Sequence, residues 1–164
     1  MRQRYLIALG SNQRHHRHGS PGQVLAAAIN AMSADGLKIR AIAPLQQSAP
    51  LGPSKRRYAN GAVLIESQLA PDELLGQLKA IEAAFGRRPG GQRWTARVLD
   101  LDIVLWSGGP WSSPGLTVPH LEFRTRTFVL VPALAIVPRW RDPLTGLSLR
   151  HLYTRLTRPR PIPR

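Results

Sequence analysis

Val98-Leu99-Asp100-Leu101-Asp102-Ile103-Val104-Leu105-Trp106 is an apolar run broken only by two carboxylates. A basic, glycine-rich stretch (86–97) precedes it and a turn-forming stretch (107–115) follows, so the run predicts a buried strand. Side chains alternate across a strand. Val98, Asp100, Asp102, Val104 and Trp106 are therefore expected on one face, with Leu99, Leu101, Ile103 and Leu105 on the other. Carboxylates at i and i+2 point the same way and lie roughly 6–7 Å apart. In apolar surroundings they repel each other and are costly to desolvate. Something cationic must sit near them. Arginine is one answer, and this chain has many; a magnesium ion sharing its coordination shell with substrate phosphates is the other. The strand alone leaves both open.

Working outward, residues 4–9 are apolar and end at Gly10-Ser11-Asn12, which predicts a second buried strand. Ser20-Pro21-Gly22-Gln23 reads as a helix start, with Ser20 as N-cap, Pro21 in the first turn and Gln23 closing a capping box. Val24, Leu25, Ala28, Ile29 and Met32 follow at helical spacing, and Gly36 ends the helix. Strands are predicted over 37–43 and 59–67, separated by the loop QQSAPLGPSKRRYAN (46–60). Pro71-Asp72-Glu73 opens another helix, placing acids at the positive end of its dipole. Leu74, Leu78, Ile81 and Phe85 share one face of it, and Gly86 stops it. Glu82 is out of place in its last turn, where the dipole disfavours an acid. The segment 128–137 is apolar but is expected to break at Pro132. The run His15-His16-Arg17-His18 reads as a solvated loop.

The chain has 164 residues, enough for one domain with a substantial core. Its 14 glycines and 15 prolines favour a mixed fold with many turns over a helical bundle. The absence of cysteine excludes a disulfide framework, thiolate metal sites and a cysteine nucleophile. The apolar run at 5–9 is too short for a signal-peptide core or a membrane span, so a soluble, cytoplasmic protein is expected. One domain over 1–157 is expected, with a basic, proline-punctuated tail at 158–164. Twenty-three basic residues against nine acidic give a formal charge of +14. All the basic residues except Lys38, Lys55 and Lys79 are arginines, whose planar forks suit phosphate oxygens. An anionic partner is the first expectation.

Five segments taken together resemble the pterin pyrophosphokinases of folate biosynthesis. They are Ile7-Ala8-Leu9-Gly10-Ser11-Asn12; Ser48-Ala49-Pro50-Leu51-Gly52-Pro53 with Tyr58-Ala59-Asn60; Gly86-Arg87 with Arg93-Trp94-Thr95-Ala96-Arg97; Leu99 to Val104; and Leu116-Thr117-Val118-Pro119-His120 with Arg126-Thr127-Phe128-Val129-Leu130. Each is weak alone, but they occur in the family's order over nearly the whole chain. The resemblance implies an α+β fold, a ferredoxin-like three-layer α/β/α sandwich with a mainly antiparallel central sheet. It also implies transfer of pyrophosphate from ATP to 6-hydroxymethyl-7,8-dihydropterin with release of AMP. Asp100 and Asp102 would hold two magnesium ions. Arg87, Arg93 and Arg97 would act on the phosphates as catalytic residues. Glu82, Trp94, Ile103, Thr117, His120 and Arg126 would bind ATP. The pterin would stack between Tyr58 and Phe128, with Asn60, Ser48 and the backbone of Leu51 reading its polar edge.

The chain departs from the family pattern at Pro89, where an arginine is frequent, at Thr95-Ala96, where Gly-Pro is usual, and at Gly115, where some members carry an arginine. A diverged, low-activity paralogue acting on another pterin is the alternative within the class. A basic nucleic-acid-binding module is the alternative outside it, motivated by the +14 charge. Aromatic residues make up only 6% of the chain and form no recognisable stacking platform, so no specific nucleic-acid partner is expected. No membrane association is expected either, and the enzyme is expected to act as a monomer.

Overall fold

A computed structural model of the chain describes residues 1–48, 57–86 and 98–159. The central strand is β1 (Gln3–Ser11), flanked by β4 (Tyr58–Ser67) on one side and β5 (Asp100–Trp106) on the other. β2 (Lys38–Ile42) and the short β3 (Gln46–Ser48) both pair with the far edge of β4, at its C-terminal and N-terminal parts respectively. Every pairing in this five-stranded sheet is antiparallel. A small hairpin, β6 (Trp111–Ser113) and β7 (Leu116–Val118), stands apart from it.

The unbroken apolar character of β1 follows from burial on both faces. Tyr5, Ile7 and Leu9 enter one core, against α1 (Pro21–Ala34) and α2 (Pro71–Ala84). Leu6 and Ala8 face the other core, against α3 (Thr127–Ile136) and α4 (Leu149–Thr157). The result is the expected α+β three-layer sandwich with an antiparallel sheet between two helical layers.

Local chemistry explains most boundaries. The capping box at α1 is present: Gln23 N–H donates to Ser20 Oγ, and Ser20 N–H donates to Gln23 Oε1 at 2.8 Å. The five apolar residues read at helical spacing are the ones α1 buries. Gly36 then takes φ 87°, a left-handed conformation that glycine tolerates. At α2, Glu73 accepts from Ala70 N–H at 2.8 Å, an acid satisfying a free donor at the positive helix end.

Three expectations need correction. β5 does not alternate throughout. Leu6 pairs with Leu105 but Ile7 pairs with Ile103, so Val104 is an extra residue in a β-bulge. Val104 and Leu105 both join the core under α3 and α4, while Trp106 packs with the α1/α2 core. Asp100 and Asp102 precede the bulge and keep their shared face. Second, Pro132 does not break 128–137: α3 runs through it. The bond lost with the proline N–H is outweighed by burial of Val129, Leu130, Pro132 and Ala133. Third, the stretch 46–60 expected as a loop begins with β3 and ends inside β4. β3 has three residues, and α4 buries only Leu149 and Leu152.

Asp142 is fully buried between α3 and α4. It accepts from Arg124 Nε (2.7 Å), Arg124 Nη2 (2.8 Å), Thr145 Oγ1 (2.6 Å) and Leu144 N–H (3.1 Å). Arg124 belongs to the 3₁₀ turn Phe123–Thr125, so this cluster ties that turn to the α3–α4 connection. Among the described residues no helix is long and apolar enough to cross a membrane. Of the expected tail, 160–164 lie outside the described residues.

Candidate active site

The site forms where the smallest residues of β1 face the acids of β5. Asp102 pairs with Ala8 and Asp100 with Gly10, so the sheet surface beside both carboxylates is nearly bare. Tyr58 and Asn60 reach the same place from β4, and Phe128 and Val129 from the first turn of α3. These residues, with Arg126, line a pocket of about 60 Å³. Typical small-molecule sites measure roughly 300–1,000 Å³, so this pocket is small for a ligand site. Asn60 is buried, with 4% of its surface exposed.

On the other side of Asp102 a larger cleft of about 430 Å³ opens between α2, the β6–β7 hairpin and the turn before α3. Ile103, Thr117, His120 and Arg126 line it, so the structure brings together four residues expected at the nucleotide. Asp102 and Arg126 line both cavities. The two hollows therefore meet at one carboxylate and one guanidinium. Gly115, noted as a departure from the family pattern, lies on the larger cleft as well.

Sequence reasoning passed over Lys79, Leu121 and Glu122, which also line this cleft. Lys79 had a detectable signal: it stands four residues after Leu75, another lining residue, and so on the same side of α2. Leu121 and Glu122 follow His120 directly, but only the fold shows that the turn exposes them to the cleft.

Burial is the largest influence on Asp102 and pushes its carboxyl above the usual range, with the neighbouring Asp100 charge adding to the rise. His120 and Lys79 partly offset it. No hydrogen bond or ion pair joins Asp102 to another described residue. Its charge is thus held back by desolvation, and a cation arriving in either cavity would relieve it. His120 is shifted the other way. Desolvation lowers its pKa first, Arg126 lowers it further, and Asp102 and Asp100 work against them. Its Nδ1 accepts from Glu122 N–H at 3.2 Å, which leaves Nε2 carrying the proton of the neutral ring. Arg126 pairs with Glu122, and its guanidinium carbon lies 5.7 Å from the centre of the Phe128 ring.

Glu82, expected at the nucleotide, is fully buried and lines neither of the described cavities. It accepts the Leu101 N–H at 2.7 Å and the Lys79 ammonium at 3.0 and 3.1 Å. β5 is an edge strand, so the Leu101 N–H turned away from β1 needs a partner outside the sheet. Glu82 supplies it, fixing β5 between the two site aspartates. That anchoring, together with the Lys79 charge, accounts for an acid in the last turn of α2.

Ser48 lies in β3 opposite Tyr58, at the N-terminal end of β4. Leu51, Arg87, Arg93, Trp94 and Arg97 lie outside the described residues. The expected solvated loop at 15–18 is a tight turn closed by the His15–Gly19 bridge. His18 stacks on Phe85 at 4.7 Å, so this loop packs against the end of α2.

Asp100 and Asp102 suit a hard divalent cation: oxygen donors on one face, beside a cleft able to admit phosphates. They supply two carboxylates, and among the described residues no third histidine or acid completes a metal cage. Such a site leaves most of the shell to water and substrate oxygens, as magnesium prefers.

The described residues thus form a two-cavity α+β domain with paired carboxylates on one strand and an arginine at the junction. The chain matches the family model for 7,8-dihydro-6-hydroxymethylpterin-pyrophosphokinase (HPPK) over residues 6–138. It belongs to that family. It is 39% identical over 145 residues to a 2-amino-4-hydroxy-6-hydroxymethyldihydropteridine pyrophosphokinase of Pseudomonas aeruginosa, covering 87% of this chain and 86% of that protein. A Synechocystis protein of the same name is 37% identical over 117 residues, covering 71% of this chain and 60% of its own length. Among solved structures, a Plasmodium falciparum HPPK-DHPS chain superposes with a TM-score of 0.73 at 12% identity. That match takes in 94% of this chain and 44% of the Plasmodium chain, and it bears on the fold alone.

Proposed function

We propose that the chain transfers the diphosphoryl group of ATP to the hydroxymethyl oxygen of 6-hydroxymethyl-7,8-dihydropterin, releasing AMP, with magnesium as cofactor. The observation that carries this reading is the meeting of the two cavities at Asp102 and Arg126. ATP takes the larger cleft. Its phosphates lie toward Lys79, Arg126 and the protonated Nε2 of His120, three donors suited to phosphoryl oxygens. The pterin takes the smaller pocket, stacked between Tyr58 and Phe128 with its amide edge on Asn60. The acceptor hydroxyl then faces the phosphates across the shared wall. Its oxygen bonds to the β-phosphorus, the bond from that phosphorus to the α–β bridging oxygen breaks, AMP departs with that oxygen, and the hydroxyl proton is released.

Asp100 and Asp102 would hold the magnesium, which when bound neutralises phosphate charge and orients the reacting oxygens. The chain's own contribution is positional: a rigid strand presents both carboxylates, and Glu82 fixes that strand at Leu101. Phosphorus NMR of a reaction mixture tests the reading. AMP with a new pterin diphosphate supports it, whereas ADP as the nucleotide product, or no pterin-dependent change, rejects it.

A further inference from the structure

The most unusual feature of the larger cleft is an acid placed on its arginine. Glu122 and Arg126 stand four residues apart across the 3₁₀ turn, and the Arg126 Nη2 donates to Glu122 Oε2. Both side chains line the cleft. The acid side chain is 53% exposed and the arginine 25%, so the pair sits at the opening, where an incoming anion meets it. Asp102, on the same cleft, makes no such pair with a described residue. The Glu122 N–H also donates to His120 Nδ1, so the backbone of the same residue sets the tautomer of the neighbouring ring.

We infer that Glu122 is a resident counterion for Arg126, standing in for a substrate phosphate while the cleft is empty and displaced by polyphosphate when ATP binds. The inference rests on the reading of this cleft as the nucleotide site, and adds the residue that sets how strongly it takes anions. An arginine cannot give full charge-assisted bonding to a carboxylate and a phosphate through the same donor. A phosphate that takes the Nη2 donor therefore breaks the Glu122 pair, and one that takes the other guanidinium donors lies beside the Glu122 carboxylate. Both effects weaken affinity. The carboxylate also opposes stray monoanions, which cannot outcompete it for Arg126, so the cleft is selective for multiply charged ligands.

Calorimetry with inorganic triphosphate, and separately with a nonhydrolysable ATP analogue plus magnesium, tests this without turnover. Glu122→Gln keeps the shape and removes the charge. It is expected to tighten both ligands by about two- to fivefold at low salt, the range of an exposed ion pair, with less effect at high salt. In an Arg126→Gln background the same substitution should change affinity much less, because the pair is already gone. Equal tightening with and without Arg126 overturns the counterion role, leaving only a general repulsion of anions. Unchanged or weaker binding by Glu122→Gln also overturns it while leaving the nucleotide site intact. If the wild type itself binds neither ligand, the nucleotide reading falls and the inference with it.

Discussion

Replacing Asp102 by asparagine separates a metal-binding carboxylate from a structural one. Two unit charges about 6.5 Å apart repel by about 2.5 kcal/mol at an effective dielectric constant of about 20. Burial adds to that repulsion while Lys79 and His120 offset part of it, so the ionised carboxylate costs the empty fold on the order of 1 kcal/mol or more. The folded-state pKa of Asp102 is raised, so the fold prefers the protonated acid. This term destabilises the wild type progressively as pH rises from the ordinary value of 3.8 through the folded value. Asp102→Asn removes it. Without magnesium at neutral pH the variant should melt about 2–4 °C higher than wild type, and the gap should close in acid. With magnesium and an ATP analogue the order should reverse, because only the wild type gains from the ligand. Melting curves across pH, in chelator and in magnesium, read all of this. A loss of about 3 kcal/mol or more in Asp102→Asn, with or without magnesium, would instead mark the residue as a buried ion-pair partner.

Asn60→Ala should weaken pterin binding by about 1–3 kcal/mol in calorimetry, since the ligand's amide edge would be buried without its partner; near-wild-type affinity counts against the placement. Glu82→Ala should lower the melting temperature by about 4–8 °C without any nucleotide, because the Leu101 N–H and the Lys79 ammonium lose a buried acceptor. A residue serving only the nucleotide would leave that temperature unchanged. Asp142→Asn should cost about 3 kcal/mol. Although desolvation pushes the Asp142 pKa up, hydrogen bonds from Arg124, Thr145 and Leu144 hold it below the usual range. Its stabilisation is therefore complete above the ordinary carboxylate value and disappears as pH falls through the lowered one. A denaturant series from neutral to acid pH should show the wild type converging on the variant.

The parts of the fold legible in the sequence are those where one local rule dominates. The Ser20 capping box, the buried face of α1 and the proline start of α2 each depend on residues within a turn of one another, and each stands as read. The bulge at Val104 is different. It depends on how β5 registers against β1, and nothing in 98–106 alone announces it. α3 tolerates Pro132 because tertiary burial outweighs a local preference, a balance invisible to periodicity. β3 is a strand only because β4 lies beside it.

The site divides along the same line. Asp100 and Asp102 stood out because acids are scarce and these two share a strand face. Ile103, Thr117, His120 and Arg126 were reached through the resemblance and meet in one cleft. Lys79 and Glu122 escaped notice because each looks like an ordinary surface charge until the fold places it beside Asp102 or Arg126. Glu82 stood out for its awkward position, and the fold adds what the sequence could not show: it accepts the edge-strand Leu101 N–H.

The most direct measurement is pterin-dependent AMP release by the intact chain with ATP and magnesium, compared with Asp100→Asn and Asp102→Asn at matched folding. Stoichiometric AMP and pterin diphosphate are expected from the wild type, with near-complete loss in both variants. AMP formation independent of 6-hydroxymethyl-7,8-dihydropterin, or wild-type rates in either variant, would contradict the proposed transfer.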